Sequence, residues 1–226
     1  MTTDARDGII QGATLGLRGF MAIEYLVLAG PQAAGKSTLC KEICSADSNL
    51  VSLQESRQVI IHNCKKNGAI FMSELDELEV IHHDMTRMFT ILGQDRLQRS
   101  YIDETSVFTL GHARAHGIDI LEGYYRQYCD LLNRLQTGVI FVDVPPTISW
   151  ERRRIRYAQR LWDLNDEEKE ATMAQYRAYL DRLYPELLAI YDRLEFPKAK
   201  IDGTGLPSET LCAACEAIKR FRESVR

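Results

Sequence analysis

The sequence predicts an α/β fold: a five-stranded parallel sheet with helices on both faces. Three observations predict it. Ile23 to Thr38 reads IEYLVLAGPQAAGKST, an apolar run, a glycine-bounded loop and then a helix start. Val139 to Val144 reads VIFVDV, an apolar run broken only by Asp143, of the kind a central parallel strand shows when both its faces are covered. Short apolar runs alternate with amphipathic stretches at helical spacing along the chain, the pattern of strand, crossover and parallel strand.

Length and composition narrow the class. With 226 residues there is room for one well-buried domain of this kind and not for two of ordinary size. Residues 1–20, which carry acidic residues and four glycines without a sustained apolar core, read as an N-terminal extension, and residues 21–226 as the domain. A net charge of −4 argues against a dedicated nucleic-acid binder. Six sparse cysteines without a signal peptide point to reduced thiols in a cytoplasm. No run approaches the ~18 apolar residues of a membrane helix.

The first loop fits G-x-x-x-x-G-K-[ST], with Gly30, Gly35, Lys36 and Ser37 at the fixed positions. A strand at Tyr25–Leu28 precedes it and a helix over about 36–45 follows, the context the pattern needs. The glycines let the backbone turn so that successive N–H groups, over Gly30, Gln32, Ala33, Ala34, Gly35, Lys36, Ser37 and Thr38, face phosphate oxygens at the positive end of a helix. Lys36 then reaches the β- and γ-phosphates of ATP and the Ser37 hydroxyl binds Mg²⁺. The class is a P-loop NTPase.

Asn49 to Leu53 reads as the second strand, ending at Gln54-Glu55-Ser56-Arg57. Ligands of an open parallel sheet sit beyond the carboxyl ends of its strands, so Glu55 and Arg57 fall where an acceptor lies. A carboxylate there takes a proton from an attacking hydroxyl, and an arginine clamps an anionic group. Ser73 and Asp76 form a capping box for a long amphipathic helix over 73–92, which carries His82 as a solvated or acceptor-facing polar residue and a candidate for substrate binding. Ser100 to Glu104 reads as a short strand ending in acid. Asp103 is placed to orient Mg²⁺, and Glu104, facing elsewhere, to hold an acceptor hydroxyl or activate water.

A helix from about Thr105 carries His112, Arg114 and His116. His112 and His116 have a spacing zinc uses, but the H-E-x-x-H glutamate is absent and Arg114 disfavours a cation, so His112 and Arg114 are read as walls of the acceptor pocket. Helix 118–136 follows. Like 73–92, it is amphipathic enough for either core packing or a homodimer face. After the apolar strand and Pro145-Pro146 comes a run with five arginines between 152 and 160. In a net acidic protein this reads as a mobile lid, about 150–165, whose Arg152, Arg154 and Arg156 meet a transferring phosphoryl group. Asn165 and Glu168 cap a helix over about 166–194, with Pro185 expected to bend or interrupt it. Lys198 to Ile201 is the last strand, and Asp202-Gly203-Thr204-Gly205 is a turn into the final helix, from about Pro207.

GPQAAGKST, YIDETSVF, VDVPPTISWERRRIRY and the terminal IDGTG together resemble the P-loop small-molecule kinases. The likeness is to the thymidylate kinase and deoxynucleoside kinase group and to nicotinamide-riboside-kinase-like domains, over about residues 22–224. The resemblance implies that Glu55 is the base towards a sugar hydroxyl, that Arg152, Arg154 and Arg156 grip phosphates, and that the 202–205 turn, with Asp202 and Gly203, covers the adenine. The chain departs from the group in one place: deoxynucleoside kinases have Glu-Arg-Ser, and thymidylate kinases Asp-Arg, where this chain has Asp103-Glu104. The expected activity is transfer from ATP to a nucleoside or nucleotide. A non-nucleoside acceptor and a nucleotide-dependent regulatory ATPase are the alternatives.

Overall fold

The computed structural model describes residues 25–60, 72–93, 100–119, 122–161 and 163–224. The expected extension over 1–20 lies outside them. Five strands, β1 (Tyr25–Ala29), β2 (Leu50–Ser52), β3 (Ser100–Asp103), β4 (Thr137–Asp143) and β5 (Lys198–Asp202), form one parallel sheet in the order β2-β3-β1-β4-β5. The helices are α1 (Lys36–Ala46), α2 (Glu74–Gly93), α3 (Thr109–Ala115), α4 (Glu122–Arg134), α5 (Pro146–Arg160), α6 (Asp166–Arg193) and α7 (Pro207–Ser224). A 3₁₀ turn, Ser106–Phe108, joins β3 to α3.

Strand alternation sorts the core into two layers. Tyr25, Val27 and Ala29 of β1 pack with Val139 and Phe141 of β4 against residues of α2, α3, α4 and α6. Leu26 and Leu28 pack with Ile140 and Val142 against α1 and α7. Both faces of β1 and β4 are therefore covered, which is why these strands read as continuous apolar runs. Each such side chain contributes about 1.5–3 kcal/mol when fully buried. Because β1 lies between β3 and β4, the strand order reverses around it, and the loop after β1 opens at that switch point.

The helix ends follow their sequence signals. The Ser73 hydroxyl accepts from the Asp76 N–H at 3.2 Å, while the Asp76 carboxylate accepts from the Ser73 N–H at 2.6 Å. Asn165 and Glu168 close the reciprocal box that opens α6. Pro185 does not interrupt α6, which runs unbroken through it. A proline costs that helix one backbone bond, and the burial of Leu180, Leu183, Leu187 and Ile190 on one face offsets the loss. The arginine run of the expected lid, about 150–165, is helical over most of its length. It lies on α5, a regular helix that begins at Pro146, a residue preset for the first helical turn. Among the described residues no helix is long and apolar enough to cross a membrane.

Candidate active site

The loop between β1 and α1 has the backbone its motif demands. Gly30 adopts φ 138° and Gly35 φ 87°, conformations that a side chain opposes. At Gly30 a Cβ would also stand 2.4 Å from the Val142 carbonyl oxygen, so the loop leaves β1 pressed against β4. Lys36 begins α1 and lays its ammonium across the loop, donating to the carbonyls of Gly30 at 2.9 Å and Pro31 at 3.0 Å. Burial lowers its pKa from the usual lysine value and Arg153 adds to that, against the opposing pull of Glu55 and Glu104. These four charges thus share one neighbourhood at the carboxyl edge of the sheet.

The Ser37 hydroxyl, at the amino end of α1, donates to Glu104 Oε2 at 2.7 Å. Burial raises the Glu104 carboxyl above its ordinary range, the Ser37 bond opposes this, and the charge of Glu55 adds to the rise. Glu55 is half-buried and accepts from Gln58 Nε2 at 2.7 Å. A hydroxyl and a carboxylate side by side are hard oxygen donors that suit a divalent cation keeping most of its water.

Asp103 does not meet Ser37, which corrects the expectation for it. Its carboxylate is fully buried and accepts from the Tyr25 hydroxyl, from Arg87 Nη2 at 2.6 Å and from the Thr105 N–H at 3.3 Å. Successive residues of a strand point to opposite sides, so when Asp103 turns inward Glu104 is the acid left facing the loop.

Arg57 is also corrected. It is 4% exposed and forks onto Glu77 of α2, with Nη1 donating to Oε1 at 2.7 Å and Nη2 to Oε2, so both ends of the fork are taken. His112 is buried and hydrogen-bonded through Nδ1 to the Tyr179 hydroxyl at 2.6 Å. Burial, and then the Arg57 and Lys36 charges, push its pKa well below the usual imidazole value, so it is neutral. His116 stacks on the same tyrosine with ring centroids 4.5 Å apart. His82 points outward instead, tilted against Tyr124 on the exposed side of α2. Arg114 faces Glu186 of α6 at 3.7 Å rather than an acceptor.

Of the lid arginines, Arg152 reaches the site. It donates to the carbonyls of Ala33 at 3.3 Å and Thr204 at 3.4 Å, bridging the loop after β1 to the turn after β5. Arg154 is exposed and pairs with Glu151 at 2.8 Å, and Arg156 is exposed. Arg153, absent from the sequence expectation, is the arginine whose charge acts on Lys36. Helical spacing from Ser149, whose hydroxyl donates to the Gln32 carbonyl, would have found the facing positions 152 and 153. Tyr157 donates to the Gln32 side chain, a second tie between α5 and the loop. In the turn after β5, Asp202 Oδ1 accepts from the Thr204 N–H and hydroxyl, both at 2.7 Å, and the Gly203 N–H donates to the Asp143 carbonyl at 2.9 Å.

No family model and no curated protein matches this sequence. Among solved structures the chain is similar to a deoxyadenosine kinase from M. mycoides with the products dCMP and a flexible dCDP bound, at a TM-score of 0.57 and 15% identity over 88% of this chain and 99% of that one. The same kinase with bound dATP aligns at a TM-score of 0.50 and 15% identity, over 86% and 98%. The YorR protein of Bacillus subtilis, in complex with phosphorylated GDP, aligns at a TM-score of 0.52 and 14% identity, over 88% and 95%. The chain has the α/β fold of the P-loop nucleoside and nucleotide kinases. At this identity the likeness is one of fold.

Proposed function

We propose that this chain is an ATP- and Mg²⁺-dependent kinase, working in the cytoplasm, that phosphorylates a hydroxyl of a nucleoside or nucleotide. The observation that carries the reading is the contact of Ser37 with Glu104 beside Lys36 and Glu55, at the one edge of the sheet where the phosphate loop opens. In this reading Lys36 exchanges its two loop carbonyls for β- and γ-phosphate oxygens. Ser37 and Glu104 hold the metal, which when bound neutralises charge on those oxygens. Glu55 accepts the proton of the attacking hydroxyl. Arg153 faces the transferring group, and Arg152 closes the side towards the turn at Asp202 and Gly203, which covers the donor base.

Incubation with ATP and Mg²⁺ against a panel of nucleosides, nucleoside monophosphates, sugars and aminoglycosides, read by mass spectrometry, tests the proposal. A phosphorylated nucleoside or nucleotide is expected. Lys36→Ala is expected to lower its formation by about 10²–10³-fold, and Glu55→Gln by about 10²–10⁴-fold. ADP release without any phosphorylated product would instead mark a regulatory ATPase, and product only from the sugars or aminoglycosides would mark the non-nucleoside alternative.

A further inference from the structure

Arg87, in the second half of α2, has a side chain only 15% exposed, and both terminal nitrogens of its fork are committed. Nη1 donates to the main-chain carbonyl of Gln54. Nη2 donates to Asp103 Oδ2 at 2.6 Å and to Asp84 Oδ1 at 3.0 Å. The Gln54 carbonyl belongs to the peptide group that joins Gln54 to Glu55, and Asp103 immediately precedes Glu104. One planar group therefore grips the residue before each of two carboxylates that lie just past the ends of neighbouring strands.

Each carboxylate is held on its other side as well. The Ser56 hydroxyl donates to Asp84, so Glu55 lies between a residue tied to Arg87 and one tied to its counter-ion. The Asp103 carboxylate accepts the Thr105 N–H at 3.3 Å, which closes a turn around Glu104. The Leu53 N–H donates to the Ile102 carbonyl at 2.8 Å, the last rung between these two chains among the described residues, and Arg87 spans the step beyond it. A lysine, with one compact ammonium, does not reproduce a fork that reaches a carbonyl beyond the end of one strand and a carboxylate on the next.

We infer that Arg87 is a positioning residue that sets the separation of Glu55 and Glu104, acting through Gln54 and Asp103 with Asp84 as its anchor. The inference rests on the kinase reading of those two carboxylates. It gives α2 a task that the fold alone does not require, since either carboxylate displaced by an ångström leaves the sheet intact and the site mis-spaced.

The test is a double-mutant cycle read by binding. Affinity for a non-hydrolysable ATP analogue is measured with and without Mg²⁺ in the wild-type protein, in Arg87→Lys, in Glu104→Gln and in the double variant. Arg87→Lys is expected to leave the metal-free affinity within about threefold and to cut the Mg²⁺-dependent gain by about tenfold or more, as loss of a residue behind a metal ligand does. In the Glu104→Gln background the same change is expected to have no further effect, because the path through Glu104 is already gone. An equal loss in both backgrounds, no loss in either, or a wild-type affinity indifferent to Mg²⁺ overturns the inference. Should Arg87→Lys lower the melting temperature by more than about 10 °C, Tyr25→Phe takes its place. It removes the hydroxyl bond to Asp103 with no change of charge and is expected to act in the same direction, and the same outcomes decide. If the wild-type protein phosphorylates nothing on the acceptor panel, the kinase reading falls while the binding cycle still decides the role of Arg87.

Discussion

A guanidinium as deeply buried as that of Arg57 stays in a fold only with a carboxylate beside it, and Glu77, itself 0% exposed, provides one. The pair is more readily missed than replaced. Glu77→Ala leaves a buried cation without its partner and is expected to cost about 3–5 kcal/mol in chemical denaturation, whereas Arg57→Met with Glu77→Leu is expected to be much nearer neutral. A double variant that loses more stability than Glu77→Ala alone would show that the arginine has another partner. Glu77 lies twenty residues beyond Arg57 in sequence, and the pairing depends on how α2 crosses the end of β2. That explains what was legible at this scale. Lys36, Ser37 and Glu55 are placed by local spacing and strand ends. The choice between Asp103 and Glu104 is made by Tyr25 and Arg87, contacts of long sequence separation that no neighbouring residue announces.

At the scale of elements, α5 decides which of its arginines matter. A regular helix presents positions three and four apart on one side, so Ser149, Arg152, Arg153 and Tyr157 turn towards the phosphate loop and the exposed Arg154 and Ile155 turn away. The sequence names Arg152, Arg154 and Arg156 together because charge density is visible in it and the register of the helix against Gln32 is not. Arg152 ties the loop to the turn at Thr204, so Arg152→Ala is expected to raise the KM for ATP by about tenfold, the loss of one charge-assisted contact. An exposed pair such as Arg154 with Glu151 is worth under about 1 kcal/mol, and Arg154→Ala is expected to change the same KM by less than about twofold. Equal effects of the two substitutions in steady-state kinetics would mean that α5 does not sit on the loop in solution as it does here.

Across the whole molecule, the sheet edge that carries the site is backed by a buried polar centre drawn from five elements. Asp84 of α2 accepts from Ser56 beyond β2, from Thr109 of α3 at 2.8 Å, from Tyr128 of α4 at 3.4 Å and from Arg87, and Arg87 in turn holds Asp103 of β3. Two carboxylates share one arginine there. Burial first, and then the charge of Asp103, push the Asp84 carboxyl up to about 7, with Arg87, Ser56 and Thr109 pulling the other way. An unfolded aspartate titrates near about 4. Between those values the native protein holds a proton that the unfolded chain has released, so this group makes stability fall as pH rises from about 4 to about 7, and the loss is complete above that. Asp84→Asn keeps an acceptor oxygen for Ser56 and Thr109 and leaves Arg87 a single carboxylate partner. Melting temperatures measured from pH 5 to pH 8 are therefore expected to decline less steeply in Asp84→Asn than in the wild-type protein, with every other titrating group common to both. Parallel curves would mean that Asp84 is ionised throughout, and that the centre behind Glu55 and Glu104 carries a full excess negative charge at neutral pH.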